Sequence, residues 1–251
     1  MLSTKHRAVV FDLDGTLTES KQSLDQEMAV LLCQLLEHVT VAVISGAAFN
    51  QFEKQFLNLL RCTERFEKLL LFPTCGAAAY QYTKKAWRIV YEERLPDVFA
   101  DSVEARIVAA FKRAGVTLPE QTWGEPLEDR GCQVTYSVLG QEAPLKEKVE
   151  WDPKGEKRMR VIRELAPEFP DFEVRSGGTT SIDITLRGID KAYGVQKIHE
   201  VTGIPISDML FIGDALYPGG NDHAVVRTGI KTKEVSGPVE TKEVVQTLLE
   251  T

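Results

Sequence analysis

The chain predicts an α/β fold: a doubly wound, parallel, Rossmann-like sheet core interrupted by an inserted α+β domain of antiparallel sheet plus helices. Two observations carry that expectation. At both ends of the chain, short all-apolar runs alternate with helical patterns, as parallel strands buried on both faces do. In the middle, strand candidates alternate apolar with polar positions, the pattern of antiparallel strands covered on one face. The core is expected to comprise residues 1–79 and 190–251, with residues 80–189 as the insert.

The first core strand is Ala8 to Phe11, followed by a helix through Met28 to Leu36. Val41 to Ile44 is a second strand, Phe52 to Leu60 a second helix and Leu69 to Phe72 a third strand. In the insert, Val103, Ile107 and Phe111, and again Val161, Ile162 and Leu165, recur at helical spacing and form stripes able to cover a sheet. Within Gln133 to Leu139, Val134, Tyr136 and Val138 oppose Gln133, Thr135 and Ser137. Within Ser181 to Arg187, Ile182, Ile184 and Leu186 oppose Ser181, Asp183, Thr185 and Arg187, and both polar faces are expected to be wet. The core resumes with a helix from Ala192 to Val201 closed by Gly203, a strand from Met209 to Ile212 and a last helix from Val239 to Leu249.

Composition narrows the function classes. With 251 residues, 27% charged and 43% apolar, the chain has the balance of a globular protein, which excludes disorder, collagen and coiled coil. A net charge of −7 without a basic block offers no footprint for nucleic acid. The greasiest stretch, Ala29 to Ile44, is interrupted by Gln34, Glu37 and His38, so no membrane span is expected. The N-terminus runs directly into Ala8 to Phe11 without a secretory signal, which points to the cytoplasm. Cys33, Cys62, Cys75 and Cys132 form no CxxC pair and are expected to be reduced, buried thiols.

Chemistry-bearing residues collect where strands run into helices. Strand one ends in Asp12-Leu13-Asp14-Gly15, strand two in Ser45-Gly46, and the later strand in Gly213-Asp214, followed by Pro218-Gly219-Gly220-Asn221-Asp222. Gly188-Ile189-Asp190-Lys191 puts a lysine at a helix start. Carboxyl ends of parallel strands are where open α/β sheets bind ligands, so these segments converge on one crevice. In isolation the DxDG segment reads equally well as a turn with capping aspartates. Three or four carboxylates in one place are costly unless a cation neutralises them, and oxygen-only ligands suit Mg²⁺. A phosphate would supply further oxygens, cradled by Ser45, Gly46, Lys191 and the backbone N–H groups of the Asp14-Gly15 turn.

The order DxDGTL, apolar-SG, DK and GD with a following ND resembles the haloacid dehalogenase superfamily of aspartate-nucleophile phosphotransferases, with a cap of the IIB type. Within it, the chain is similar to eukaryotic-type phosphomannomutases. The matching residues are Asp12 to Thr18, Gly177-Gly178 followed by Ser181 and Asp183, Gly188 to Lys191, and Pro218 to His223. The resemblance implies Asp12 as the nucleophile that accepts the phosphoryl group, and Asp14 as the general acid/base whose backbone carbonyl also meets Mg²⁺. It implies Ser45 and Lys191 as the phosphate clamp and Asp214 as a further metal ligand. Asn221 and Asp222 match a supporting group whose contact with the metal is left open. In the cap it implies Ser181 and Asp183 as holders of sugar hydroxyls.

Phosphomannomutases hold the phosphate that is not being transferred with several arginines. Of these, Arg130 is retained, Gln141 and Trp123 stand where two more are expected, and Lys21 replaces the one that follows the DGTLT segment. Each charge-assisted bond is worth roughly 1.5 to 3 kcal/mol, so two lost arginines weaken distal-phosphate binding by about 10² to 10⁴. The expectation is therefore a Mg²⁺-dependent phosphatase acting on a sugar phosphate or similar small phosphomonoester. A hexose-phosphate mutase is the alternative and a non-catalytic sugar-phosphate-binding module the second alternative. The partner is a small phosphorylated molecule, neither nucleic acid nor membrane, and the chain is expected to be a monomer or homodimer.

Overall fold

A computed structural model describes residues 6–19, 22–96 and 99–250, with only the backbone considered at residues 99–101 and 145. Near the N-terminus lie β1 (Ala8–Asp12), α1 (Gln26–His38), β2 (Thr40–Ile44), α2 (Phe49–Gln55) and β3 (Leu69–Phe72). A hairpin of β4 (Ala78–Thr83) and β5 (Ala86–Glu92) follows. Then come α3 (Phe99–Arg113), β6 (Leu127–Asp129), β7 (Gln133–Ser137), α4 (Leu145–Trp151), α5 (Glu156–Leu165), β8 (Phe172–Gly177) and β9 (Ser181–Leu186). The chain closes with α6 (Lys191–Thr202), β10 (Met209–Gly213), β11 (Lys231–Glu234) and α7 (Pro238–Glu250).

The larger sheet has the order β11-β10-β1-β2-β3-β4-β5, parallel from β11 to β3 and antiparallel in the hairpin. Successive residues of its inner strands enter opposite cores. Val9, Phe11, Val41, Val43, Leu69 and Leu71 pack with α1 and Val245 of α7. Ala8, Val10, Ala42, Ile44, Leu70 and Phe72 pack with Val195 and Ile198 of α6. Burial on both faces is why these strands read as unbroken apolar runs. The order reverses at β1, so the carboxyl end of β1 lies at the switch point where such sheets bind ligands.

The chain separates into two compact units, one running to Glu92 and resuming at Ile189, the other spanning Glu93 to Gly188. This moves the first boundary from the expected 79/80 to 92/93. The cause is the hairpin: β4 pairs with β3, extending the core sheet instead of opening the insert. The second unit is an antiparallel sheet of order β6-β7-β9-β8. Val134, Tyr136, Val138, Ile182 and Ile184 pack on Val103, Ile107, Phe111, Val161 and Leu165 of α3 and α5.

Three local expectations change. The second helix stops at Gln55 instead of Leu60, because Phe56 leaves helical geometry at φ −124° and buries its ring. The polar face of β7 is not wet: Gln133 and Thr135 are 1% and 2% exposed, and the Gln133 amide donates to Thr135 Oγ1. Cys33 and Cys62 are not reduced thiols but a disulfide with Cα atoms 5.8 Å apart, tying α1 to the loop after α2. Cys75 and Cys132 are not disulfide-bonded. Among the described residues, no helix is long and apolar enough to cross a membrane.

Candidate active site

In the first unit, β1 delivers Asp12 to the end of the central strand pair, opposite Ile44 of β2 in register. The chain then turns tightly: the Leu13 carbonyl accepts the N–H groups of Leu17 and Thr18 at 3.0 Å each, and Gly15 donates to the Thr18 carbonyl at 2.7 Å. Gly15 has φ +88°, and a Cβ there would lie 2.6 Å from Asp214 Oδ2. The missing side chain thus gives Asp214 its place. Thr16, fully buried, donates from Oγ1 to Asp214 Oδ1 at 3.2 Å. Half-buried Asp14 follows Asp12 by two residues on this turn.

Lys191 opens α6 and is 1% exposed. Its Nζ donates to Asp12 Oδ1 and to Asp222 Oδ1 at 2.5 Å each. Asp190 caps the helix by accepting the N–H groups of Ala192 and Tyr193, and Arg227 grips the same carboxylate at 2.6 and 2.7 Å. Asp222, wholly buried, also accepts the Ala215 N–H on Oδ2 at 3.0 Å. A Cβ on Gly213 would come within 2.4 Å of that oxygen. Ser45 continues from β2, and its Oγ accepts the Ala47 N–H at 3.1 Å, which leaves its own O–H to donate to an anion.

Burial pushes the Asp12 carboxyl up to about 7, against the pull of the Lys191 ammonium and with the repulsion of Asp222 adding to the rise. Burial disfavours the Lys191 ammonium too, but attraction to Asp12 and Asp222 outweighs it and raises its pKa above the ordinary lysine value. Oxygens of Asp12, Asp214 and Asp222 lie within 4.8 Å of one another. Three carboxylates set against one ammonium leave a buried negative excess, and an all-oxygen donor set of this kind fits a hard divalent cation.

Sequence reasoning places Asn221 and Asp222 together; the structure separates them. Asp222 is buried against Lys191, whereas the Asn221 side chain is exposed. Lys21 lies outside the described residues. Gly46 follows Ser45 beside Cys75, whose Sγ would be 3.7 Å from a Cβ on that glycine. Sequence reasoning gave no role to Thr16, which lies in the DxDGTL segment but acts through Asp214, or to Arg227, which acts through Asp190 and carries no motif of its own.

In the second unit, Asp183 of β9 accepts from Thr135 Oγ1 of β7 at 2.9 Å. Burial raises its pKa, opposed by the Arg130 guanidinium and by that hydrogen bond. Arg130 donates to Glu128 Oε2 at 2.6 Å. Ser181 pairs with both Ser137 and Gly177 in register. Gln141 turns its amide to the Pro126 carbonyl at 3.2 Å. Trp123 lies beside the Gly140-Gln141 turn through its N–H to Leu139 and its carbonyl to Glu142, with its side chain 43% exposed.

A parallel sheet that ends its first strand in two spaced aspartates, backed by a buried lysine and two further aspartates, belongs to a phosphotransferase of the haloacid dehalogenase class. Solved structures agree with the fold. An IMP-nucleotidase of Plasmodium falciparum, bound to IMP, superposes with a TM-score of 0.68 at 16% identity, over 100% of this chain and 70% of that one. A haloacid dehalogenase-like hydrolase from Bacteroides thetaiotaomicron gives 0.66 at 17% identity, over 97% and 99%. The chain belongs to the eukaryotic phosphomannomutase family, whose profile matches residues 28–251. A probable phosphomannomutase of Caenorhabditis elegans is 27% identical over 96% of this chain and 94% of its own length. Human phosphomannomutase 1 is 25% identical over 86% and 81%.

Proposed function

We propose that this enzyme is a Mg²⁺-dependent phosphohydrolase acting on a sugar phosphate or a similar small phosphomonoester. The reading of phosphoryl transfer rests above all on Asp12, a buried carboxylate locked between Lys191 and the acidic pair Asp214 and Asp222. An oxygen of Asp12 attacks phosphorus, the bond to the sugar oxygen breaks, and Asp14 gives that oxygen its proton. Asp14 then takes a proton from water as the water attacks the aspartyl phosphate, releasing inorganic phosphate and regenerating Asp12. Lys191 and the Ser45 hydroxyl hold phosphoryl oxygens throughout. Mg²⁺, held by Asp12, Asp214 and the Asp14 backbone carbonyl with Asp222 in support, would neutralise the gathered negative charge.

Hydrolysis is preferred over mutation on the chemistry of the cap. Positions 123 and 141 carry no charge, and Arg130 is already paired with Glu128. The mutase reading is supported by family membership and by the retained Arg130, Ser181 and Asp183. The two are separated by measuring phosphate release and isomer formation on one sample. Hydrolysis predicts steady phosphate release from a hexose monophosphate, with negligible exchange of 1- and 6-phosphates and no activation by a hexose 1,6-bisphosphate. Conversion of mannose 1-phosphate to the 6-phosphate faster than its hydrolysis would overturn it. As a monomer or homodimer in the cytoplasm, the protein would meet a reducing thiol pool, so its fold must persist with Cys33 and Cys62 reduced.

A further inference from the structure

The second unit holds a buried ion pair that the proposed chemistry does not use. Arg158 of α5 and Asp152 have side chains only 8% and 3% exposed, and Arg158 Nε donates to Asp152 Oδ2 at 3.0 Å. Asp152 is held in turn by the backbone N–H groups of Lys157 and Arg158 at 3.0 and 3.1 Å. Burying two charges costs several kcal/mol of desolvation unless the geometry returns it, so such a pair is weak evidence for stability. What Arg158 holds is more informative. Its Nη1 donates to the Gly177 carbonyl at 3.1 Å and to the Gly178 carbonyl at 2.7 Å, the last residue of β8 and the first of the turn after it.

Gly177 is the floor of the Asp183 carboxylate, since a Cβ on Gly177 would fall 2.1 Å from Asp183 Oδ2. It also stands opposite Ser181 in the sheet. One guanidinium therefore fixes the backbone that sets the position of both cap residues read as holders of sugar hydroxyls, from behind and with no hydrogen bond of its own to either. We infer that Arg158 is a positioning residue for sugar recognition, a role that rests on the sugar-phosphate reading above. Its planar fork can bond Asp152 and two carbonyls together, which a lysine ammonium cannot do in the same geometry.

The test is Arg158→Lys, which keeps a positive charge facing Asp152. Wild type and variant are compared on p-nitrophenyl phosphate, which has no sugar hydroxyls, and on glucose and mannose 1- and 6-phosphates, counting released phosphate plus isomer formed. The variant should lose about 10- to 100-fold in kcat/KM on the best hexose phosphate, mostly through KM, and stay within about threefold on the aryl phosphate. Combined with Asp183→Asn it should cost no more than Asp183→Asn alone, because both act on one contact. Equal losses on the two kinds of substrate, or full additivity, would make Arg158 merely structural and overturn the assignment. Failure of the wild type on all four hexose phosphates while it hydrolyses the aryl phosphate would overturn the sugar-phosphate reading, and the assignment with it. Should the lysine variant not fold, Asp152→Asn with Arg158→Gln, which buries no lone charge, carries the same comparison.

Discussion

Asp12 and Asp14 stand two positions apart in one turn yet meet different surroundings. Asp12 is buried against Lys191, whereas Asp14 is half-buried on the turn that follows. Asp12→Asn should fold with unchanged secondary structure and show no turnover, as should the wild type in excess chelator. Asp14→Asn keeps its backbone carbonyl but has no proton to give, so it should lose about 10² to 10⁴ on a sugar phosphate and much less on an aryl phosphate. Equal losses on both substrates would remove the acid role. Both comparisons need only steady-state rates and a circular dichroism spectrum.

Two elements carry predictions about stability. At the start of α7, Glu240 accepts from Lys233 Nζ at 2.8 Å and from Ser236 N–H and O–H at 2.8 and 3.0 Å. The Lys233 hydrogen bond and those from Ser236 bring its pKa from 4.5 down to about 2. A depressed carboxylate stabilises the fold fully above its unfolded pKa and loses that contribution as pH falls through the folded one. Wild type should therefore lose more stability than Glu240→Gln between pH 4.5 and 2, and added salt should shrink the difference at this exposed site. Urea midpoints for both proteins across that range would show it; parallel curves would refute it. The Cys33–Cys62 bond closes a separation of 29 residues, a loop for which cross-linking contributes about 3 to 4 kcal/mol. Denatured, unreduced protein should titrate two thiols and not four. Reduction should lower the urea midpoint while leaving the rate unchanged, because neither cysteine belongs to the catalytic cluster.

For the molecule as a whole, the proposed function divides between units: one gathers the groups read as phosphoryl-transfer groups, and the other carries those read as recognising the sugar. If the neutral side chain at position 141 is what bars a second phosphate, Gln141→Arg should tighten hexose bisphosphate binding by about 1.5 to 3 kcal/mol. It should also raise isomer formation relative to phosphate release. Gln141 is held through its backbone as well as its amide, with its carbonyl accepting Lys148 Nζ at 2.9 Å and its N–H donating to Glu125. The substitution therefore leaves the turn's main-chain bonds intact. Calorimetric titration of both proteins with the bisphosphate is the check, and an unchanged affinity would place the distal grip elsewhere.

The sequence by itself determined the architecture, because it is written in local patterns. Strands with apolar cores on both faces read as apolar throughout, as Ala8 to Phe11 and Val41 to Ile44 do, and a strand with an apolar core on one face alternates, as Gln133 to Ser137 does even though its polar face is buried as well. Asp12, Asp14, Ser45, Lys191 and Asp214 stand at strand ends or helix starts that those patterns locate. Tertiary structure alone decided what depends on partners far along the chain. Asn221 and Asp222 are neighbours of similar shape, and only the turn that brings the Ala215 N–H to one carboxylate buries Asp222 against Lys191. The residues of β4 and β5 read as insert until β3 supplies the edge on which they pair. Cys33 and Cys62 carry no spacing signal, and Arg158 looks like any helical arginine until α5 packs beside the β8–β9 turn. The physical reason is the same in each case: periodicity reports which face of an element is buried, while pairing across the chain is set by which buried groups the finished fold brings within hydrogen-bonding distance.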